Sequence, residues 1–158
     1  MKPLLFKLTD GGRVKVAKLP LEKMLSYIQV EITDCEAGGV MCGRFISESN
    51  DIVIDDISTP FDSDIRTRHS FFRKTLGHQE FLDQLWQQSD GTCNYIGDWH
   101  THPEPVPKPS AKDLRNWRRL VKRTICDARI LIFIIVGTVE ARVWQGQLDG
   151  TITELSKV

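Results

Sequence analysis

The stretch Trp99-His100-Thr101-His102-Pro103, followed by Ser110-Ala111-Lys112-Asp113, constrains this chain more than any other. His100 and His102 are two residues apart, so on an extended segment both imidazoles point to one side. Pro103 ends that segment, because it fixes φ and has no N–H to give to a ladder. The Pro-rich loop after it runs to Ser110, where a helix opens and places Asp113 in its first turn. A strand end and a helix start are therefore expected to meet. Two neutral imidazoles and one carboxylate at a single point make a three-ligand zinc site whose fourth position is open to water, the layout of a catalytic ion rather than a structural one. Each part also has a plainer explanation. A single histidine is more often a satisfied core or surface group than a ligand, and Ser110-x-x-Asp113 fits a helix capping box. The conjunction is what points to a metal.

Around this stretch the chain reads as alternating strands and helices. Residues 4–8 and 14–19 flank Asp10-Gly11-Gly12 as an N-terminal hairpin. Pro20 suits the first turn of a helix carrying Leu21, Met24, Leu25 and Ile28 at helical spacing, expected to end near Thr33. Glu36 then stands at the mouth of a glycine-rich apolar run containing Gly39 and Gly43, a buried strand in which glycine marks the close approach of another backbone or a ligand. By itself a glutamate in such a place is usually just solvated. Residues 51–59 form the next antiparallel strand. Residues 60–75, with Arg66, Arg68, Arg73 and Lys74 around Phe71 and Phe72, read as a long mobile loop, either a solvated connection or a flap that grips substrate.

Beyond it, residues 77–88 form a helix with Phe81, Leu82, Leu85 and Trp86 on its apolar face, and residues 93–100 a strand feeding the histidine pair. Residues 110–127 form a second strong helix, with Leu114, Trp117, Leu120, Val121 and Ile125 as its buried stripe. Arg115, Arg118, Arg119, Lys122 and Arg123 crowd the rest of it, which reads as a solvated face, with attraction of an acidic partner as the alternative. Residues 129–137 are a strand apolar enough to be buried on both faces, and residues 140–147 and 151–155 a hairpin about Asp149-Gly150. The whole is expected to be an α+β fold, one domain over residues 1–158, with a mostly antiparallel sheet flanked by helices.

Composition excludes several classes. A formal net charge of zero gives no global attraction to nucleic acid or an anionic membrane. The longest apolar run, residues 130–136, is far too short to cross a bilayer. The N-terminus has no apolar core with a cleavage site, so a cytoplasmic protein is expected. Cys35, Cys42, Cys93 and Cys126 show no C-x-x-C spacing, and are expected to be reduced thiols rather than a zinc knuckle.

The motif as a whole resembles the JAMM motif of the JAB/MPN metalloproteases, which have a cytidine-deaminase-like fold. The family pattern is a glutamate before a Gly-rich strand, then His-Ser/Thr-His-Pro, a short spacer and Ser-x-x-Asp. Here these are Glu36 before Gly39 and Gly43, His100-Thr101-His102-Pro103, and Ser110 with Asp113. The resemblance implies that His100, His102 and Asp113 hold Zn²⁺, that Glu36 is the general base, and that Ser110 stabilises the oxyanion. It implies cleavage of an isopeptide or peptide bond after the tail of a ubiquitin-like protein. Arg66, Arg68 and Phe71 are the expected tail contacts, and Asp98, on the histidines' strand parity, a group supporting the ligands. The segment from Tyr95 to Trp117 is most similar to small bacterial JAB proteins of CBASS antiphage operons, which implies deconjugation of a CD-NTase C-terminus from a target lysine, reversing an E1–E2-like protein. Alternatives are trimming of a ubiquitin-like or sulfur-carrier precursor and a non-catalytic MPN scaffold, although such scaffolds usually lose the ligands kept here. A zinc deaminase wants His-x-Glu and Pro-Cys-x-x-Cys, and neither is present.

Overall fold

The run of seven apolar residues read as a doubly buried strand is the axis of the molecule. In the computed structural model, which describes residues 1–124 and 130–158, it is a strand over Ile130–Val136. Its side chains alternate, Leu131, Phe133 and Ile135 into one apolar cluster and Ile132, Ile134 and Val136 into another.

In chain order the elements are β1 (Leu4–Lys7), β2 (Arg13–Val16), α1 (Lys18–Leu25), β3 (Gly38–Ile46) and β4 (Asp51–Ile57). They are followed by β5 (Ile65–Thr67), β6 (Ser70–Phe72), α2 (Thr75–Gln88) and β7 (Asn94–Thr101). The last are α3 (Ala111–Arg123), β8 (Ile130–Val136), β9 (Ala141–Gln147) and β10 (Ile152–Glu154). Eight strands make one sheet in the order β1-β2-β4-β3-β7-β8-β9-β10, while β5 and β6 form a separate two-stranded ribbon. Among the described residues only the pairs β2·β4 and β7·β8 are parallel, so the expected α+β class and mostly antiparallel sheet are what the chain adopts.

The two faces are covered by different helices. Leu21 and Met24 of α1 join Trp99, Ile54 and Ile134 in one cluster. Trp117 and Val121 of α3 join Phe133 and Trp144 in the other. Trp117 stacks on Phe133 with ring centroids 4.7 Å apart and planes 8° from parallel, and Trp144 closes on it at 5.5 Å. A buried aromatic of this size is worth ~3–5 kcal/mol against alanine, and here it fixes the helix that carries Asp113.

Several expectations need correction. The first helix ends at Leu25, well before Thr33, where Ser26 turns its hydroxyl back onto Lys23 O and breaks the run. The loop at residues 60–75 is not featureless, since it folds into the β5–β6 hairpin. α2 starts at Thr75, and its one buried residue is His78, while the expected apolar face is half-buried and Trp86 exposed. α3 stops at Arg123, with Thr124 extended at ψ 115°. The expected continuation through Ile125, Cys126 and Asp127, and the start of the following strand at Arg129, lie outside the described residues.

Candidate metal and catalytic site

The site forms where the middle of the sheet meets the N-terminus of α3. β3 and β7 pair antiparallel with a register shift, Met41 facing Gly97 but Cys42 facing Tyr95. This bulge resets the pleat, so that Ile96 and Trp99 share one face and His100 emerges on the other, 6.3 Å from Trp117. Thr101, between the two histidines, is fully buried and points away from them. Its hydroxyl accepts from Ala37 N and donates to Gln29 Oε1, both at 2.9 Å, which fixes the backbone next to Glu36. His102 continues the edge past the end of β7 by donating its N–H to Val136 O at 3.0 Å.

Asp113 arrives from the helix. Ser110 caps α3, its Oγ accepting from Asp113 N at 3.0 Å while Asp113 Oδ2 accepts from Ser110 N at 2.9 Å. The capping box expected of Ser110 and Asp113 is therefore present, and it leaves the Asp113 carboxylate beside the histidines. The box sets the rotamer that aims Asp113 Oδ2 at the histidines, 3.1 Å from His102 Nε2 and 3.3 Å from His100 Nε2. The two imidazole nitrogens lie 3.1 Å from each other. A tetrahedral ion with bonds of about 2.0–2.1 Å holds its ligands about 3.3–3.4 Å apart, so these three atoms fit such an ion with little movement. Glu36, His100 and His102 also offer atoms within 4.8 Å of one another. Glu36 Oε1, however, stands 3.7 Å from His102 Nε2, farther than Asp113, and fits a group beside the ion better than a ligand to it.

The electrostatics agree with a site waiting for a cation. Burial pushes the Glu36 carboxyl up to about 7, against the pull of His100 and His102. Burial pulls the His102 imidazole down, but the hydrogen bonds to Asp113 and Glu104 and the charge of Glu36 carry it up, to about 9. Burial works against the Asp113 carboxylate too, yet bonds to both histidines hold it well below the usual range.

Glu104 is a member of the site that sequence reasoning missed. Its Oε1 lies 3.0 Å from His102 Nδ1 and also accepts from Lys108 N at 2.9 Å. A carboxylate must accept there, so Nδ1 carries the hydrogen and Nε2 offers its lone pair to a metal. The signal available was its place two residues after the second histidine of the pair.

The second wall is the β5–β6 hairpin, and it grips Glu36 by the backbone. Glu36 N donates to Thr67 O at 2.8 Å, and Arg66 Nε donates to Glu36 O at 2.8 Å. Arg68 donates to the carbonyls of Glu31 and Ile32 at 3.0 and 2.8 Å. These two arginines, expected to contact substrate, each give part of their N–H groups to carbonyls of the loop that leads to Glu36. Phe71 sits over Gly38, where an added Cβ would be 2.7 Å from its ring. Asp98 also departs from expectation: it binds Arg73 Nε at 2.7 Å and Tyr95 OH at 2.6 Å, and so anchors the end of the hairpin rather than a histidine.

The base of the hairpin is tied by a buried relay. Asp64 accepts from Phe61 N and Lys74 N, one at each end of the hairpin, both at 2.8 Å. His78 Nε2 lies 2.8 Å from Asp64 Oδ2, and its Nδ1 lies 2.7 Å from Ser58 Oγ. The carboxylate accepts, so His78 Nε2 donates and Nδ1 accepts from Ser58. A polar residue on an expected apolar helix carries no sequence signal for this job. Cys35, Cys42 and Cys93 are free, Cys42 and Cys93 lying side by side with burial pushing the Cys42 thiol well up, while Cys126 lies outside the described residues.

Metal-assisted hydrolysis is the chemistry such an arrangement serves. The sequence matches the family described as prokaryotic homologs of the JAB domain over residues 26–147. A CD-NTase/cGAS isopeptidase of Escherichia coli (strain TW11681) is 33% identical over 99% of this chain and 96% of its own. A protein of the same name from Pseudomonas aeruginosa (strain BWHPSA011 / Pa011) is 37% identical over 77% of this chain and 75% of its own. A probable metalloprotease of Sinorhizobium fredii, y4qB, is 33% identical over 73% of each. In fold, the solution structure of protein DSY2949 from Desulfitobacterium hafniense superposes with a TM-score of 0.61 at 20% identity, covering 89% of this chain and 88% of that one. The chain belongs to the prokaryotic JAB family, and it is a JAMM-type hydrolase. Among the described residues no helix is long and apolar enough to cross a membrane.

Proposed function

We propose that residues 1–158 act as one zinc-dependent isopeptidase domain that releases a CD-NTase, or a ubiquitin-like protein, from the target lysine to which its C-terminal tail is joined. The observation that carries this reading is the triangle of His100 Nε2, His102 Nε2 and Asp113 Oδ2, none more than 3.3 Å apart, with Glu36 Oε1 just outside it. The names of the relatives supply the substrate class. In the cell the reaction would reverse the work of an E1–E2-like protein in cytoplasmic antiphage defence.

His100, His102 and Asp113 would hold the ion. When bound there, zinc lowers the pKa of water to about 7 and polarises the scissile carbonyl. Glu36 takes the proton from the attacking water and passes it to the departing lysine amine. Ser110 Oγ accepts from Asp113 N–H, a bond that leaves its own O–H to donate to the oxyanion, a role worth ~3 kcal/mol for a single donor. The start of α3 adds a favourable dipole. The tail lies against Phe71 and pairs its backbone with the open edge of β6. Arg66 and Arg68 act on it through the shape of the wall they hold.

The test is incubation of the purified zinc-loaded protein with a CD-NTase joined through its C-terminus to a lysine side chain. Release of both halves with an intact C-terminus is expected, abolished by a chelator and restored by zinc. Cleavage that persists after full metal removal would contradict the reading.

A further inference from the structure

Helix α3 carries Lys112, Arg115, Arg118, Arg119, Lys122 and Arg123 against a single acidic residue, Asp113, which is turned to the histidines. The net charge of the chain is zero, so this concentration is local. Four of the six line the cleft beside the candidate metal. Lys112, Arg115 and Arg119 face one stretch of it, with Glu36, His69 and Ser70 opposite, and Arg119 and Arg123 face the other, with Phe72, Arg73 and His100. All four are exposed, and none makes an ion pair among the described residues. The carboxylates of the cleft are already engaged: Asp98 by Arg73 and Tyr95, Asp113 and Glu36 by the histidines.

The two walls run alongside each other. As the hairpin side advances from His69 to Thr75, the helix side advances from Ser110 to Arg123. Lys112, Arg115 and Asn116, Arg119 and Arg123 follow the three- and four-residue spacing of one helix face, so successive cations rise by about 4.5–6 Å. In an extended chain, side chains on one face recur about every 6.6–6.8 Å. The two spacings are close enough for about three side chains of a bound strand to meet these cations in turn.

We propose that α3 is a selectivity wall for an acidic, extended polypeptide segment next to the scissile bond, with carboxylates at alternate positions. The occupant is a polypeptide rather than a nucleic acid because residues of β6 line the other side of the cleft, and β6 pairs with β5 alone among the described strands, which leaves it an edge that a strand can join. This inference rests on the hydrolase reading for where the bond lies, but the wall itself is independent of it.

The test uses the whole zinc-loaded protein and fluorescein-labelled Gly/Ser peptides carrying glutamate at alternate positions, glutamine in the same places, or glutamates moved to adjacent places. Fluorescence anisotropy at low ionic strength should show the alternating glutamate peptide binding about tenfold tighter than the glutamine one, an advantage that shrinks at high salt. The adjacent arrangement should fall between. Arg115→Glu with Arg119→Glu should remove the preference at unchanged metal content, and the milder Arg115→Ala with Arg119→Ala should weaken it if the first pair misfolds. Equal binding of glutamate and glutamine peptides would overturn the proposal, as would a single-stranded oligonucleotide of equal charge that binds more tightly. Joining the same peptides to a fluorogenic isopeptide bond separates the two readings. Charge-selective binding without hydrolysis removes the protease and keeps the wall, whereas hydrolysis blind to charge does the reverse.

Discussion

The candidate metal cup and the wall opposite it are built in different ways. His100 projects from β7, a central strand flanked on both sides by β3 and β8, and His102 follows directly after it. Both are nine-tenths or more buried. Among the described residues the β5–β6 hairpin has no strand neighbour in the main sheet; it is held by the backbone bond from Glu36 N to Thr67 O and by side-chain bonds, Arg66 and Arg68 to backbone carbonyls, Asp64 to both its ends, and Arg73 to Asp98. The cup is rigid because the sheet is. The wall is only as firm as a few hydrogen bonds, each worth about 0.5–1.5 kcal/mol net. Glu36 belongs to both regions, leading into β3 while its backbone is held by the hairpin. Under the proposed function, a tail that seats on the wall would also steady the base that is to act on it.

Breaking the cup should have the largest effect. His102→Ala or Asp113→Ala should lose the metal and lower turnover by at least ~10³-fold, read together by metal analysis and by cleavage of a conjugate. Next in size, Glu36→Gln should keep the metal and the fold yet lose ~10²–10⁴ in rate, as removal of a general base does. A variant that still turns over at near the original rate would move the base elsewhere.

Breaking the wall should cost less and in a different parameter. Arg66→Ala frees the Glu36 carbonyl and should lower kcat by about tenfold at unchanged metal content, the size expected for one lost bond to a charged group. Arg66→Lys should recover part of it. His78→Ala removes the donor to Asp64 and should cost about 1–3 kcal/mol of stability in a denaturant melt, with a rise in KM as the hairpin base loosens.

The smallest effect separates ion from proton. His102 has a pKa raised to about 9 in the metal-free protein, so near neutral pH it is protonated and must lose that proton to bind a metal. Metal affinity should therefore rise by about tenfold per pH unit up to that value and level off above it. Calorimetry in buffers of different ionisation heat should count about one proton released per ion at neutral pH. No release would mean that the imidazole is already neutral.

The cup was legible in the sequence because its parts are local signals: a two-residue period ending at Pro103, and a cap three residues before an acid. The apolar run in β8 and the Asp149-Gly150 turn, with Gly150 at φ 91°, were legible for the same reason. The hairpin was not. Its strands are three residues each, too short for alternation to register, and what holds them is distant in sequence, as Arg66 and Arg68 are 30 or more residues from the carbonyls they bind. The relay through His78 was hidden because a buried histidine on a helix looks like any other polar position until Asp64 is seen beside it.

The central claim is that the triangle of two imidazoles and Asp113 holds the ion while Glu36 stands apart as base. A crystal of the zinc-loaded protein, with anomalous data at the zinc absorption edge, tests it directly. The account predicts one peak at about 2.0–2.1 Å from His100 Nε2, His102 Nε2 and Asp113 Oδ2, with Glu36 bound to none of it. A peak bonded to Glu36 with Asp113 turned back to its helix cap, or no peak between the histidines, would contradict it.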